Sequence, residues 1–403
     1  MTRMALEGVR ILDFTWVVAG PVATRILADQ GAEVIKVERG DIAAMSVLGP
    51  RRVGLQGELH RNKRSAAINM AHPRGVELAR RLAAISDLVM DNFSARVMRG
   101  WGMDYESLVK VKPDIICISM SGLGHTGPRC NYVSYGPTLQ ALAGFTRLMT
   151  DGRGEPAGYG YSYADMAGGY SGALAALIAL WHRRRTGRGQ FVDLSQFEAL
   201  ASLVGPALLD IAVNGRTQEP PGWRSQEAPA APHGVYRCRP RGADHDRWLV
   251  IAVRSQAEWE RFRAALGNPP WAADPKFRTL YLRLRNREEL DAQVARWAAS
   301  QDAEAAMAAL QAAGVAAGVA LNGADLCTGD AQLAARGFFA EVKLPEGGTT
   351  RVPGVPMKLS ATPGAIRTAA PTVGEDNDYI LGELLGLSRA ERAALVADGI
   401  VWN

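Results

Sequence analysis

The arrangement best suited to chemistry in this sequence is a carboxylate beside paired glycines at the mouth of an apolar helix. Asp165 has it, in Tyr161-Ser162-Tyr163-Ala164-Asp165-Met166-Ala167-Gly168-Gly169-Tyr170. Taken by itself, an aspartate in a first helical turn stabilises the helix end, and physics alone favours that plain role. The same amide groups also keep a carboxylate ionised and reactive, and glycines leave room for a ligand.

Other chemical signatures are weaker. Gly122-Leu123-Gly124-His125-Thr126-Gly127 has the spacing of a dinucleotide-binding loop and follows an expected strand. Pro128-Arg129-Cys130-Asn131 comes next where a helix should open, and no later strand ends in an acid at the required distance. Nicotinamide binding is therefore not expected. The loop reads instead as one that lets a ligand approach the backbone, with N–H groups available to an oxyanion. The sequence has no phosphate-binding loop of the GxxxxGK type, no HExxH, and no GxSxG around Ser162 or Ser195. Its six histidines do not fall at metal-ligand spacings, and no metal site is expected. Cys117, Cys130, Cys238 and Cys327 are too scattered for a zinc site or disulfide framework. A reducing, cytoplasmic setting is the simple expectation.

The elements that must hold these residues alternate in type. Strands are expected at Val9 to Phe14, Glu33 to Val37, Ala66 to Met70, Asp87 to Met90 and Ile115 to Met120. Helices fall between them at Pro21 to Asp29, Arg74 to Ile85 and Tyr105 to Val111. Such alternation with short connections predicts a doubly wound parallel sheet of the Rossmann-like α/β class. A long helix follows from Tyr163 to Arg185, then a strand at Phe191 to Leu194 and a helix from Ser195 towards Val213. The proline-rich stretch 215–232 reads as a linker. Beyond it, strands at Val235 to Cys238 and Trp248 to Val253 precede helices at Gln256 to Leu266, Arg287 to Ala299 and Ala303 to Ala313. The expected division is a large domain over 1–214, the linker, a smaller α+β domain over 233–322, and a return over 323–403. That return ends in a helical tail from Glu375 to Asp398 and completes the large domain.

The 403 residues are enough for two domains, and 47% apolar with 22% charged is ordinary for a globular chain. The net charge of +5 suits an anionic partner without choosing one. Arg183, Arg184, Arg185 and Arg188 complement a helix C-terminus, and aromatic residues are not interleaved with the basic groups. No nucleic acid is expected as a partner. Tyr170 to Trp181, read as the most apolar stretch, is too short to span a bilayer, and neither a membrane partner nor a signal peptide is expected.

Leu12-Asp13-Phe14-Thr15, Val18-Ala19-Gly20-Pro21 and Leu27-Ala28-Asp29-Gln30-Gly31-Ala32-Glu33-Val34-Ile35-Lys36-Val37-Glu38 together resemble the opening of class III CoA-transferases, the formyl-CoA-transferase-like family. The resemblance runs on through Asn62-Lys63-Arg64-Ser65, Asp91-Asn92-Phe93, Gly122-Leu123-Gly124, Gly127-Pro128, Asp165 with Gly169, and Arg185-Thr186-Gly187-Arg188-Gly189-Gln190. It closes with Gly374-Glu375 and Leu384-Leu385-Gly386-Leu387. Each motif alone is weak; their order along the whole chain is specific.

This resemblance implies that Asp165 is a nucleophile which passes through anhydride and aspartyl-CoA thioester states. It implies coenzyme A contacts from Val17, Ala19, Arg39, Ile68, Asn92 and Phe93, and places Val18 and Tyr135 at the acyl group with Gly122 and Gly124. Many relatives carry a basic residue directly after the Asn-Phe pair, where this chain has Ser94; Arg96 or Arg99 is the substitute. Coenzyme A thioesters enter as substrates, with no permanently bound cofactor implied. Pro220-Pro221-Gly222-Trp223-Arg224 stands where formyl-CoA transferases have a mobile glycine-rich segment, which argues against formyl or oxalyl substrates. Ala231-Pro232-His233-Gly234-Val235-Tyr236-Arg237-Cys238 and Asp246-Arg247-Trp248 resemble relatives acting on aromatic or dicarboxylic acids, such as benzylsuccinate CoA-transferase subunits. The family also implies ring-shaped chains in an interlocked dimer, or a heteromer of two similar subunits. The rival readings are an α-methylacyl-CoA racemase, a non-catalytic subunit of a heteromeric transferase, and a nicotinamide oxidoreductase. The racemase should have a histidine after Gly127-Pro128, and none lies between Arg129 and Phe145.

Overall fold

A computed structural model describes residues 3–40, 52–150, 154–158, 160–217 and 229–402. Contacts gather the chain into two units, one of Met1–Thr146, Gly158–Gly205 and Ala331–Asn403, the other of Arg147–Ala157 and Pro206–Asp330. The segment 220–224, expected in place of a mobile glycine-rich stretch, lies outside the described residues.

The elements up to residue 214 are β1 (Arg10–Asp13), α1 (Ala19–Asp29), β2 (Glu33–Glu38), α2 (Gly54–His60), β3 (Lys63–Ala67), α3 (Pro73–Ala84), β4 (Leu88–Asp91), α4 (Val97–Gly100), α5 (Tyr105–Leu108), β5 (Ile116–Ser119), α6 (Gly136–Leu142), α7 (Phe145–Leu148), α8 (Tyr163–Thr186), β6 (Phe191–Asp193), α9 (Gln196–Ala201) and α10 (Gly205–Asn214). The six strands form one parallel sheet in the order β3-β2-β1-β4-β5-β6. That is the doubly wound order, and its direction reverses between β1 and β4. One face carries Leu12, Ile35 and Val89 into a core with Leu78 and Leu82 of α3, Leu108 of α5, and Ile380, Leu381 and Leu395 from the C-terminal region. The other carries Ile11, Val34, Leu88 and Ile116 against Val22 and Leu27 of α1 and Ala173, Ala176 and Ala179 of α8.

Two expectations shift for identifiable reasons. The third strand is Lys63–Ala67, three residues earlier than the apolar run suggested. The reason is that Lys63 is buried, its ammonium held by Asp13 Oδ2 at 3.2 Å and Thr24 Oγ1 at 2.7 Å. Paired charge inside a core escapes a reading based on apolar residues. The helix expected from Ser195 towards Val213 is interrupted by a 3₁₀ turn at Ser202–Val204. The run Gln196–Asn214 is long and apolar enough, by length and composition only, to cross a membrane, and just 11% of it is buried. It therefore replaces Tyr170 to Trp181 as the apolar stretch of note.

The second unit holds β7 (His233–Arg237), β8 (Trp248–Ala252), α11 (Gln256–Ala265), α12 (Leu280–Arg285), α13 (Arg287–Ala298), α14 (Ala303–Ala312) and β9 (Ala316–Val319). The strands make an antiparallel sheet ordered β7-β8-β9 over a core of Leu249, Ile251, Trp259, Phe262 and Leu290. After Asp330 come α15 (Ala331–Ala335), the antiparallel pair β10 (Phe339–Lys343) and β11 (Thr349–Pro353), and α16 (Arg389–Ala397). The expected tail helix is broken. A π-helical stretch at Asp378–Leu384 ends before Gly386, whose φ is 71°, and Ser388 with Glu391 then forms a capping box that starts α16.

Candidate active site

The loops after β1, β4 and β5 meet at the carboxyl ends of the sheet, beside the point where strand order reverses. That is where an α/β sheet leaves a crevice. The crevice here is a cavity of about 370 Å³. Trp16 and Val17 enter it from the β1 loop, Asn92, Phe93 and Arg96 from the β4 loop, and Ser121 and Gly122 from the β5 loop. Tyr135 and Gly136 line it at the start of α6, Asp165 at the start of α8, and Gln196 at the start of α9.

Asp165 sits in the first turn of a 24-residue helix whose last turn carries Arg183, Arg184 and Arg185, so both ends complement the helix dipole. Ser162 caps the helix, its Oγ accepting from the Asp165 N–H at 3.4 Å. Burial pushes the Asp165 carboxyl above the usual range, and the Ser162 hydrogen bond opposes that shift. The carboxylate is thus half-buried and less stabilised as an anion than a solvated one.

Glycines explain how the elements come so close. A Cβ on Gly136 would stand 2.7 Å from Asp165 Oδ2 and would collide with Ser162 Oγ. On Gly169 it would stand 2.5 Å from Val22 and 2.9 Å from the Ala19 carbonyl oxygen. On Gly168 it would meet the Gln196 side chain at 2.9 Å, and on Gly172 the Met120 sulfur at 2.5 Å. The Asp165 helix is therefore pressed against α1 and the β5 loop by a stripe of residues without side chains.

The structure brings together Asp165, Val17, Asn92, Phe93, Arg96, Gly122 and Tyr135 of the expected site residues. It does not bring in Val18, Ala19, Arg39, Ile68 or Gly124. Val18 and Ala19 are buried at the start of α1. Ile68 is fully buried in the core on the α3 face, where its side chain packs among apolar neighbours and offers no surface to a ligand. Arg39 is exposed after β2 and does not line the cavity. Gly124 supplies a turn, with φ of 81°. Arg96, not Arg99, is the cation on this cavity; Arg99 lines a separate space of about 50 Å³ together with His125.

His125 is accordingly off the Asp165 cavity. Its Nε2 is 2.7 Å from Ser119 Oγ, which donates to Asp91 Oδ1 at 3.1 Å. Burial lowers the affinity of the ring for a proton and pushes Asp91 up to about 7. The His125 backbone N–H is committed to the Asp193 carboxylate at 3.0 Å, which removes one loop amide from service to an oxyanion.

Trp16, Ser121, Gly136 and Gln196 were not legible as site residues. The Trp16 ring lies tilted against Phe93 with centroids 6.1 Å apart, and Phe93 meets Trp101 edge-on at 5.5 Å. Only Gly136 carried a signal, being followed by Pro137 at a helix start.

Residues 6–377 match the family model described as CoA-transferase family III. The chain is 32% identical over 405 residues to succinyl-CoA–D-citramalate CoA-transferase of Chloroflexus aurantiacus, covering 98% of each chain. It is 30% identical to mouse succinyl-CoA:glutarate CoA-transferase, over 98% of this chain and 90% of that one. The crystal structure of a CaiB/BaiF family protein from Brucella suis superposes with a TM-score of 0.84 at 28% identity, covering 95% of this chain and all of the other.

Proposed function

The chain belongs to CoA-transferase family III, and from that premise we propose that it moves coenzyme A from succinyl-CoA to an aliphatic dicarboxylic acid through covalent states of Asp165. The observation that carries this reading is the position of Asp165, half-buried and in a cavity, with a carboxyl whose burial works against its ionised form. A carboxylate so placed gains from forming a neutral acyl derivative.

Asp165 attacks the donor carbonyl, forming a mixed anhydride and releasing coenzyme A thiolate. The thiolate returns to the aspartyl carbonyl, giving an aspartyl-CoA thioester and freeing the donor acid. The acceptor carboxylate attacks that thioester, forming a second anhydride and releasing the thiolate again. The thiolate finally takes the acceptor acyl group and regenerates Asp165. Each step exchanges one acyl bond for another, so the thioester's energy is conserved if water is excluded. Phe93 and Val17 give coenzyme A apolar wall, Arg96 a cation for a phosphate, and Tyr135 borders the acyl group.

The acceptors named for the two relatives, citramalate and glutarate, are aliphatic dicarboxylates, and they favour that class here over aromatic acids. The interlocked dimer is part of the same proposal, supported by the exposed Leu174, Ile178 and Trp181 of α8. Racemisation is disfavoured because His125 lies off the Asp165 cavity.

The test is product analysis with purified protein, succinyl-CoA and a panel of carboxylic acids. New acyl-CoA species from aliphatic dicarboxylates, lost in Asp165→Ala, are expected. Transfer that survives Asp165→Ala, or α-carbon deuterium exchange without an acceptor acid, would sink the reading.

A further inference from the structure

Three non-glycine residues among those described have a positive φ. Two are asparagines, which tolerate it; the third is Val17, at 61°. A β-branched residue is strained in that region and persists there only where its surroundings leave no alternative.

The surroundings are specific. The Trp16 N–H donates to Asn92 Oδ1 at 2.8 Å, and Asn92 Nδ2 donates to the Trp16 carbonyl at 3.0 Å. The preceding Thr15 carbonyl accepts from buried Lys36 Nζ, and the Thr15 N–H donates to Asp13 Oδ1 at 2.8 Å. Both peptide groups before Val17 are thus held by side chains. On its other side α1 is fixed against α8, where Ala19 and Val22 touch Gly169 one turn along from Asp165. Asn92 also abuts that first turn, since a Cβ on Gly20 would stand 3.1 Å from its Cγ. Val17 has to bridge two anchored ends, and it lines the cavity while doing so.

We propose that Asn92 is a positioning residue: its amide holds the Trp16 backbone so that Val17 keeps its left-handed conformation and the cavity wall beside Asp165 stays fixed. Its part in the reaction runs through the backbone and not through a contact with coenzyme A. The proposal rests on Asp165 as the nucleophile. Asn92 was expected as a coenzyme A contact, and the paired hydrogen bonds to Trp16 change that role.

The test measures two quantities on the full chain: affinity for free coenzyme A by calorimetry, and the single-turnover rate at which succinyl-CoA loads Asp165. Asn92→Ala is expected to slow loading about tenfold or more, as small misplacements near reacting groups do. Coenzyme A affinity should change less than about threefold, well under one decade in Kd. Adding Val17→Gly to Asn92→Ala should restore much of the lost rate, because glycine adopts this φ without strain. An affinity loss as large as the rate loss, with no rescue by glycine, would make Asn92 a coenzyme A contact and overturn the proposal. Unchanged loading in Asn92→Ala would overturn it equally. Should Asn92→Ala not fold, Asn92→Asp keeps the acceptor for the Trp16 N–H and loses the donor, and the same pattern is expected of it. A wild-type protein that transfers coenzyme A without loading Asp165 would defeat the covalent mechanism instead. The steady-state transfer rate then replaces loading as the readout for Asn92.

Discussion

Asp165 combines two properties that pull in opposite directions. Its place at a helix N-terminus favours the anion, whereas its burial disfavours it and outweighs the Ser162 hydrogen bond, leaving the carboxyl raised. A carboxyl raised in the folded state binds its proton more tightly there than in the unfolded chain. Its contribution to stability is therefore full below the ordinary value of 3.8 and is lost as pH rises through the folded value. Asp165→Asn, which cannot ionise, should raise the melting temperature at pH 7, with the gain shrinking towards zero as the pH falls below 4. An equal difference at both pH values would contradict the burial argument. Gly136 is the other residue-scale determinant. Gly136→Ala puts a methyl group 2.7 Å from the Asp165 carboxylate and against the Ser162 cap, so kcat/KM for transfer should fall about a hundredfold, with about 1–2 kcal/mol of stability lost as the cap is displaced.

Among the elements, α8 is the one whose sequence determines the site most directly. Its first-turn aspartate and its basic last turn marked both ends, and the helix runs from Tyr163 to Thr186, within a residue of the expectation. What its sequence could not disclose was the use of Gly168, Gly169 and Gly172, since a glycine read in isolation says only that space or freedom is needed. The structure assigns each a neighbour: Gln196, Val22 and Met120. Gly169→Ala should destabilise the chain by about 1–3 kcal/mol through overpacking against α1, measured by urea denaturation. It should also slow transfer, because Val17 on the cavity wall leads directly into α1. Strand ends were legible wherever apolar residues marked them and failed at β3, where Lys63 is buried with Asp13.

At the scale of the molecule, the sheet order puts the cavity where β1 and β4 diverge, the place a doubly wound sheet offers to a ligand. Which side chains reach that place was only partly legible. Asp165, Val17, Asn92 and Phe93 reach it; Ile68 and Arg39 occupy strand-end positions that look similar in sequence but face the core and the solvent. The C-terminal segment is tied to the first unit's core by buried polar groups whose pairing was not legible in the sequence. Asp29 accepts from Arg61 at 2.7 Å and from Asn62 at 2.7 Å, and Asn62 reaches the Ala365 carbonyl at 2.9 Å. Asp29→Ala would leave the buried Arg61 guanidinium without its carboxylate, and a loss of about 3–5 kcal/mol is expected in denaturant unfolding. Hydrogen exchange should rise first around residues 364–368.

In the proposed reaction the acyl and coenzyme A groups pass through Asp165. Mass spectrometry of the protein mixed with succinyl-CoA and quenched with hydroxylamine or borohydride tests it most directly. A modified peptide containing Asp165, absent from Asp165→Ala, is the predicted result. Rapid coenzyme A transfer with Asp165 unmodified at every quench time would contradict the account.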